Sequence, residues 1–185
     1  MDITDFQKDI LNAWSNGHCV SAVGNSNHLS EVAAIGSIAN TEAFREHQTV
    51  IIIPDADKAH RFFKDIFCPI AKAKGVTGIL CTGAIPILDQ VSVMRNKAVI
   101  KHVIIGTPER VYYLLPRFIN KNNVQTLVLL ETSTLLEDKL ALYLVKIIQF
   151  LPTSVPIVSL TEELTEDAAQ FGISCINGAV LLKEE

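Results

Sequence analysis

The residues with the clearest chemical potential form the run Gly106-Thr107-Pro108-Glu109-Arg110, which follows an apolar segment at 102–105. Thr107 is a good helix cap, and Pro108 suits the first helical position, where no N–H partner is lost. Free N–H groups at a helix start can bind an anion, and Arg110 lies one turn away to assist. The run predicts an anion site at a strand-to-helix junction, with an ordinary junction of an α/β protein as the alternative.

A second junction, at residues 19–40, has the layout of a phosphate-binding loop without its chemistry. The pattern predicts a strand at 19–23, a loop at 24–29 and a helix that Ser30 caps and that runs to about residue 40. A phosphate-binding loop needs glycines, a lysine for the terminal phosphates and a Ser or Thr hydroxyl for magnesium. None of these remains at the far end of this loop, so the sequence predicts neither a bound cofactor nor a metal.

The elements that position these junctions alternate along the chain, as in an α/β protein with a mostly parallel central sheet and helices on both faces. Pro69 lies inside one predicted helix and predicts a kink or break. Strands are predicted at 19–23, 50–53, 76–81, 102–105, 126–130, 155–160 and 173–176, and helices at 3–15, 30–40, 55–73, 87–95, after Thr107, at 135–151 and at 162–171.

Length and composition favour one well-packed domain over residues 1–185, with a core at about 3–177. The chain has 185 residues, of which 49% are hydrophobic and 19% charged, as expected of a globular domain. No apolar run reaches membrane-spanning length, and the N-terminal residues do not resemble a signal peptide. Cysteines 19, 68, 81 and 175 lack metal-ligand spacing, so buried free thiols in a reducing compartment are predicted.

The charge distribution leaves two alternatives open. The formal net charge is −4, but residues 1–57 carry a net −6, residues 58–121 a net +8 and residues 122–185 a net −6. A basic middle segment could contact nucleic-acid phosphates. It could equally form solvated helix faces, which charge alone slightly favours.

Taken in order, the strand-end motifs resemble the first RecA-like domain of a DEAD-box RNA helicase over nearly the whole chain. The matching positions are Gln7 for the adenine-reading glutamine, 54–59 for the Pro-Thr-Arg-Glu-Leu-Ala motif, Thr82-Gly83 for the Gly-Gly turn, 106–110 for the Thr-Pro-Gly-Arg motif, Leu130-Glu131-Thr132-Ser133 for the Asp-Glu-Ala-Asp box and Ser159-Leu160-Thr161 for the Ser-Ala-Thr motif. The resemblance implies a RecA-like three-layer sandwich.

The departures from that family's pattern fall on the groups that hold ATP. Leu29, Ser30 and Glu31 stand where the family has Gly-Lys-Thr, and Leu130 stands where it has the magnesium-binding aspartate. Glu131 keeps the position of the water-activating carboxylate, and with Ser133 it completes a degenerate ATP site. The resemblance therefore implies a pseudo-helicase without catalytic residues.

Two functions remain open on this basis. The first is a protein-interaction scaffold in an RNA-handling assembly, with another helicase or a ribonucleoprotein component as partner and no membrane contact. The second is weak, ATP-independent RNA binding through the motif residues Gly83, Thr107, Pro108 and Arg110. The loss of the family's arginine at Ala56 and the carboxylate of Glu109 favour the scaffold. Degenerate helicase domains of this kind resemble the Tudor-type helicase-like proteins of the germline small-RNA (piRNA) pathway. By this analogy, we expect a role in that pathway and localisation to the cytoplasm, in perinuclear granules.

Three nucleotide-facing positions have become apolar together, at Leu29, Leu130 and Leu160. They predict either a collapsed cleft with added core or an apolar patch on which a partner docks. We expect burial of Leu130 and Leu160, which end neighbouring strands, and partial exposure of Leu29.

Overall fold

Seven short parallel strands form one central sheet in the order β3-β4-β2-β5-β6-β1-β7. The computed structural model describes residues 3–176 and 178–184. The strands are β1 (Val20–Val23), β2 (Thr49–Ile52), β3 (Gly78–Cys81), β4 (Val103–Gly106), β5 (Thr126–Leu130), β6 (Ile157–Thr161) and β7 (Val180–Lys183). The prediction of a mostly parallel α/β sheet is confirmed, and every neighbouring pair is parallel.

Helices cover both faces of the sheet and complete a three-layer fold. They are α1 (Asp5–Ser15), α2 (Ser26–Ala39), α3 (Ala56–Arg61), α4 (Cys68–Lys74), α5 (Ile87–Arg95), α6 (Pro108–Phe118), α7 (Thr132–Leu135), α8 (Asp138–Phe150) and α9 (Glu166–Cys175), with a π-helical turn at Phe62–Phe67 and a 3-10 turn at Lys121–Asn123. One core lies between the sheet and α1 to α4, around Trp14 and Val32. The other core lies beneath α5, α6, α8 and α9, around Leu114 and Leu144.

Strands β1 to β6 form where the sequence predicts them because each is a short, nearly continuous apolar run, as expected of strands buried on both faces. Residues of β2, β4 and β5 are buried throughout. The predicted bounds of β5 and α5 match the structure. Parallel strands all end at one edge of the sheet, so this edge collects the loops that carry the motifs.

Several predicted elements differ from the structure, among them helix α2 and the last strand. Helix α2 begins at Ser26 rather than after Ser30, because Asn25 is the cap and accepts a hydrogen bond from the N–H of Asn27. The predicted strand at 173–176 lies largely within α9, whose cap is Thr165. The last strand is β7, further along the chain. The predicted end of the core at residue 177 lies outside the described residues.

Pro69 does not break its helix. The chain widens into a π-helical turn before it, and the N–H of Cys68 donates to the carbonyl of Phe63, five residues back. The wider turn accommodates a proline that has no N–H to donate. The predicted helix at 135–151 divides instead into α7 and α8, with Glu137 as the cap of α8.

The four cysteines are free thiols, as predicted, but only Cys81 is buried. Burial raises the pKa of Cys81 to about 12, so this thiol is a poor nucleophile at neutral pH. Across residues 3–176 and 178–184, none of the helices has the length and apolar character needed to cross a membrane.

Candidate functional site

The first turn of α2 lies at the edge of the sheet where a phosphate-binding loop would hold its anion. Its backbone N–H groups donate instead to the protein's own side chains. The N–H of Asn25 donates to Oε2 of Glu184 at 2.7 Å, and the N–H of Ser26 donates to Oε1 of Glu162 at 3.2 Å. Because free amides and the helix dipole favour negative charge, two carboxylates satisfy the site that a phosphate would use.

Glu184 is held in this position from two further sides. Its Oε1 lies 2.5 Å from Nδ1 of His28, on the first turn of α2. A Cβ atom on Gly24 would lie 2.6 Å from Oε2 of Glu184, so the glycine leaves the space that the carboxylate occupies. The hydrogen bond from the Asn25 N–H, followed by the contact with His28, holds the pKa of Glu184 below its ordinary value.

This pKa shift predicts a pH-dependent part of the free energy of unfolding. A carboxyl group whose pKa is lowered in the folded protein adds stability above its unfolded pKa, and this stability is lost as pH falls through the folded pKa. Glu184→Gln should cost about 1 kcal/mol at pH 7. Its stability should fall less than that of the parent between about pH 5 and pH 3. Urea unfolding across that range measures both.

Asp5 provides the matched control because its pKa is also lowered, by an exposed partner, Lys8. When Asp5→Asn is added to both proteins, the difference in unfolding free energy between Glu184→Gln and the parent should stay the same at each pH. Parallel pH profiles for Glu184→Gln and the parent would show that Glu184 does not cap the helix.

The position expected to read adenine is also committed to internal contacts. Gln7 is 1% exposed, and its Oε1 accepts from the N–H of Thr4 at 2.8 Å. Its Nε2 donates to the carbonyl of His28 at 3.1 Å and to Oε2 of Glu31 at 2.9 Å. Gln7 and Glu31 therefore connect α1 to α2, which leaves no hydrogen-bonding group of this amide facing outward.

The three leucines form buried structure rather than an exposed patch. Leu29, Leu130 and Leu160 are 2%, 6% and 0% exposed, and Leu130 is in register with Leu160 on the neighbouring strand. The expected partial exposure of Leu29 is wrong because Asn25 starts α2 early and places Leu29 on the inward face of the helix. The three leucines therefore do not form the exposed patch considered for a partner. Leu130 and Leu160 are buried on neighbouring strands, as expected.

A cleft of about 340 Å³ remains above the leucines. Ser30 lines it, and Lys58 crosses it to pair with Glu131, Nζ to Oε2, at 2.5 Å. Glu131 has φ 57° and ψ 51°, a left-handed conformation that is unusual outside glycine and directs the chain from β5 into α7. Ser133 Oγ lies 2.9 Å from Thr161 Oγ1 and donates to the carbonyl of Glu163.

The predicted RNA-facing residues do lie together, around a separate hollow of about 420 Å³. Gly83, Thr107 and Arg110 line it with Glu109 and Tyr113. Pro108 is buried as the first residue of α6. Thr107 stands at the cap position as predicted, but its side chain makes no capping hydrogen bond.

Arg110 is engaged inside the protein. Its Nη1 donates to the carbonyl of Ile85 at 2.8 Å and to Oε1 of Gln90 at 2.5 Å. Gln90 is 2% exposed and donates in turn to the carbonyl of Leu80. The guanidinium therefore fixes the loop after β3 onto α5, a structural role that the sequence did not indicate.

Sequence reasoning missed the residues that decide the site, namely Glu162, Glu184 and His28. The signal available was that Glu162 lies two residues after the predicted strand at 155–160, at the edge where strand ends meet. Glu184 gave no such signal, because the strand before it was not predicted. As they stand, these groups do not fit ATP with magnesium. The carboxylates of Glu184 and Glu162 accept the backbone N–H groups that would bind phosphate, and Leu130 offers no oxygen to a metal. Within the described residues, no group of three or more His, Cys, Asp or Glu side chains could hold a metal ion.

Solved structures similar to this chain include DEAD-box proteins. Saccharomyces cerevisiae Dbp5 bound to RNA and ADP BeF3 matches with a TM-score of 0.84 at 16% identity, over 98% of this chain and 46% of that one. A DEAD box protein from the hyperthermophile Methanococcus jannaschii matches with a TM-score of 0.84 at 16% identity, over 98% and 50%. A Dbp5 variant bound to Nup159, Gle1, IP6 and ADP matches with a TM-score of 0.78 at 15% identity, over 99% and 52%.

The likeness establishes a RecA-like fold of the kind found in DEAD-box helicase domains. The chain spans about half the length of the solved proteins that it matches. No protein-family model and no curated protein sequence matches it.

Proposed function

We propose that this domain is a catalytically inactive helicase-like module that acts as a protein-interaction scaffold in an RNA-handling assembly. The observation that carries the proposal is the capping of α2 by Glu184 and Glu162, whose carboxylates take the backbone N–H groups that would otherwise hold phosphates. ATP would have to displace both carboxylates or share the site with them. Like charges about 4 Å apart repel by about 1–4 kcal/mol between water and a protein surface, so sharing is unfavourable.

Several features of the cleft support the loss of catalysis independently. Lys58 and Glu131 neutralise each other across the cleft, so the carboxylate retained from the degenerate box already has a partner. Leu130 and Leu160 pack against each other where a metal-binding oxygen would be needed. The cleft is thus organised by contacts that need neither nucleotide nor metal.

The scaffold role draws support from the solved proteins of similar fold. One was solved with the protein partners Nup159 and Gle1, and another with RNA. A RecA-like domain whose own cleft is internally satisfied can still present its outer surfaces to such partners. The narrower placement in a germline piRNA assembly, in cytoplasmic granules, remains part of the proposal and follows the analogy drawn from the sequence.

Weak RNA binding, the second candidate, loses support at Arg110. Nη1 of its guanidinium donates to Ile85 and Gln90, so binding a phosphate through this nitrogen would break contacts that fix the loop after β3. Glu109 is exposed beside it and would repel phosphates. We therefore retain the scaffold as the proposed function.

Isothermal titration with ATP and magnesium tests the inactive site. We expect no saturable heat with ATP up to about 1 mM, which corresponds to a binding free energy weaker than about −4 kcal/mol. A DEAD-box domain with an intact phosphate-binding loop, titrated in the same buffer, serves as the positive control. A micromolar dissociation constant that requires magnesium would contradict the proposal.

Affinity purification of the intact protein from its own cells, with and without nuclease, tests the scaffold. Protein partners should remain bound after nuclease treatment. If every partner leaves once RNA is digested, the protein-scaffold role is wrong and RNA tethering replaces it.

A further inference from the structure

The outer surface of α6 and α8 carries three exposed cations, each of which lies over an aromatic ring. The pairs are Arg117 over Tyr113, Lys146 over Tyr112 and Lys121 over Phe150, at 4.7, 5.1 and 5.2 Å from the ring centroid. Two of the pairs join different elements, because Lys146 of α8 covers a ring of α6, and Lys121, in the turn after α6, covers a ring of α8. We call these six residues the cation–aromatic face.

The rings hold the charges in place. Tyr112 and Phe150 are partly buried, and Tyr112 packs against Tyr143 with ring centroids 5.7 Å apart. Arg117 is fixed further, because its Nη1 donates to the carbonyl of Tyr113 at 2.9 Å. A free lysine or arginine side chain loses rotamer freedom when it binds a partner, and a side chain that already rests on a ring loses less. The face is therefore preorganised, which a freely solvated helix surface is not.

The acidic residues of the two helices lie at the helix starts. Positions 109, 137 and 138 are acidic, but the sequence contains no Asp or Glu at 110–130 or at 139–161. Arg117 follows Glu109 by eight residues, about 12 Å along the helix axis, which is longer than the distance over which exposed charges interact strongly in about 0.1 M salt. The cations of the face therefore lie on stretches of sequence that offer them no carboxylate.

Contacts from other elements also leave the face positively charged. Glu42 accepts a hydrogen bond from Gln125, beyond the 3-10 turn, at 2.8 Å, but it also pairs with Arg45 at 3.3 Å. Among the described side chains, neither Arg117 nor the two lysines of the face take part in a salt bridge. Each of these cations rests on a ring and has no carboxylate partner among the described residues.

Exposed apolar groups adjoin the cations and indicate which class of partner fits. Leu142 is 65% exposed and lies one helical turn before Lys146 on α8, and Tyr113 of α6 is 46% exposed. Nucleic acid would use the cations but would leave Leu142 without an apolar contact. Arg117 also covers one side of the Tyr113 ring on which a base would stack. A polypeptide that carries both carboxylates and apolar side chains complements all of these groups.

We propose that the cation–aromatic face binds an acidic segment of a partner protein. Carboxylates of the segment pair with Arg117, Lys121 and Lys146, and its apolar side chains cover Leu142. This inference rests on the scaffold function proposed above and names the surface that performs it and the charge of its partner. Because the chain has a formal net charge of −4, its overall charge does not attract an acidic ligand, so binding depends on these local cations.

Fluorescence anisotropy with a synthetic peptide tests the face on the whole 185-residue chain. The probe is a short labelled peptide in which single leucines separate pairs of glutamates. We expect saturable binding in about 0.05 M salt and binding about tenfold weaker in about 0.5 M salt, because salt screens exposed charges. A peptide with glutamines in place of the glutamates should bind about tenfold more weakly, equivalent to about 1.4 kcal/mol.

Replacing Lys121 and Lys146 together by glutamine removes two charges of the face and should weaken peptide binding by about tenfold or more. Both side chains are exposed, so the melting temperature should fall by no more than about 5 °C. Replacing Lys72 and Lys74 by glutamine is the matched control. It removes the same charge at exposed lysines of α4, on the other face of the sheet, and should bind as the parent does.

Leu142→Ser tests the apolar part of the proposed contact. It should weaken binding of the glutamate–leucine peptide by about threefold, because a leucine of the peptide then has no apolar partner on α8. Leu181→Ser, at an exposed leucine of β7, is the control and should leave binding unchanged.

The inference is overturned if the peptide does not saturate in low salt, or if the α4 control weakens binding as much as the double variant of the face. Binding equal to that of the parent, by that double variant or by Leu142→Ser, also overturns it. Labelled single-stranded RNA that binds about tenfold more tightly than the peptide and is weakened by the same double variant would assign the face to nucleic acid instead. None of these measurements uses ATP or a cell extract, so failure of the face is distinguishable from failure of the inactive cleft or of the scaffold.

Discussion

Leu130→Asp should lower the stability of the domain by about 3–5 kcal/mol, with a fall in melting temperature of about 10 °C or more. Leu130 is 6% exposed and lies beside Leu160, which is fully buried. A carboxylate here would lose its water, and Lys58, a cation that lines the same cleft, already pairs with Glu131. Thermal and urea unfolding measure the change.

Leu181→Asp is the matched control, since it makes the same substitution at a side chain that is 76% exposed. It should change the free energy of unfolding by no more than about 0.5 kcal/mol. Unchanged stability in Leu130→Asp would show that the cleft has not collapsed onto its leucines.

The same variant also tests the proposed loss of function, because it restores an aspartate at the metal position of the resembled family. Magnesium with ATP should not raise its melting temperature, since Glu184 and Glu162 still occupy the amides of α2. A ligand at a hundredfold excess over its dissociation constant would stabilise the protein by about 2.7 kcal/mol. A shift of that size would mean that a single substitution had restored ATP binding, and that fewer residues block the site than proposed.

The sequence predicts the fold well because strand positions are a local property. Residues 127–130 are all apolar, and a strand is the element type that suits so short a buried run. The start of a helix is harder to predict, because Asn25 and Ser30 are both good caps and lie five positions apart. Asn25 prevails since Ser26 to Leu29 contain no helix breaker and the earlier start buries Leu29.

The decisive contacts of the site could not be predicted, because they join residues far apart in the chain. Glu184 lies 159 residues from Asn25, and Glu162 lies 136 residues from Ser26. Only the strand order, with β1 between β6 and β7, brings both carboxylates to the start of α2. A comparison of motifs reveals that the lysine of the phosphate-binding loop is missing. It does not reveal the carboxylates of Glu184 and Glu162, which bind the backbone N–H groups at the start of α2.

Strand β7 illustrates the opposite error. Val180–Lys183 alternates half-buried and exposed residues and lies close to the end of the sequence, whereas the more apolar run at 173–176 was predicted as the strand. The run at 173–176 instead extends α9, because Ala168 and Phe171 place one face of that helix against the core. Local apolar character therefore selected the wrong segment at this edge of the sheet.

Gly106→Ala should destabilise the domain by about 3 kcal/mol, although Gly106 belongs to the motif with the clearest chemical potential in the sequence. A Cβ atom at this position would lie 2.1 Å from the carbonyl oxygen of Cys81 and 2.9 Å from Cγ2 of Val111. The carbonyl cannot move freely, because it accepts the N–H of Thr107 at 3.1 Å. The new methyl group must therefore separate β4 from β3 or from α6.

Gly83→Ala supplies the control within the same hollow. A Cβ atom on Gly83 meets nothing within 4 Å, so this variant should unfold within about 0.5 kcal/mol of the parent. If both variants are equally stable, the close approach of β3 and β4 does not explain Gly106. A large loss in Gly106→Ala alone would show that packing between two strands is sufficient to account for the glycine. The Gly-Thr-Pro motif can then persist in a domain that binds no RNA, because the fold itself requires its first residue.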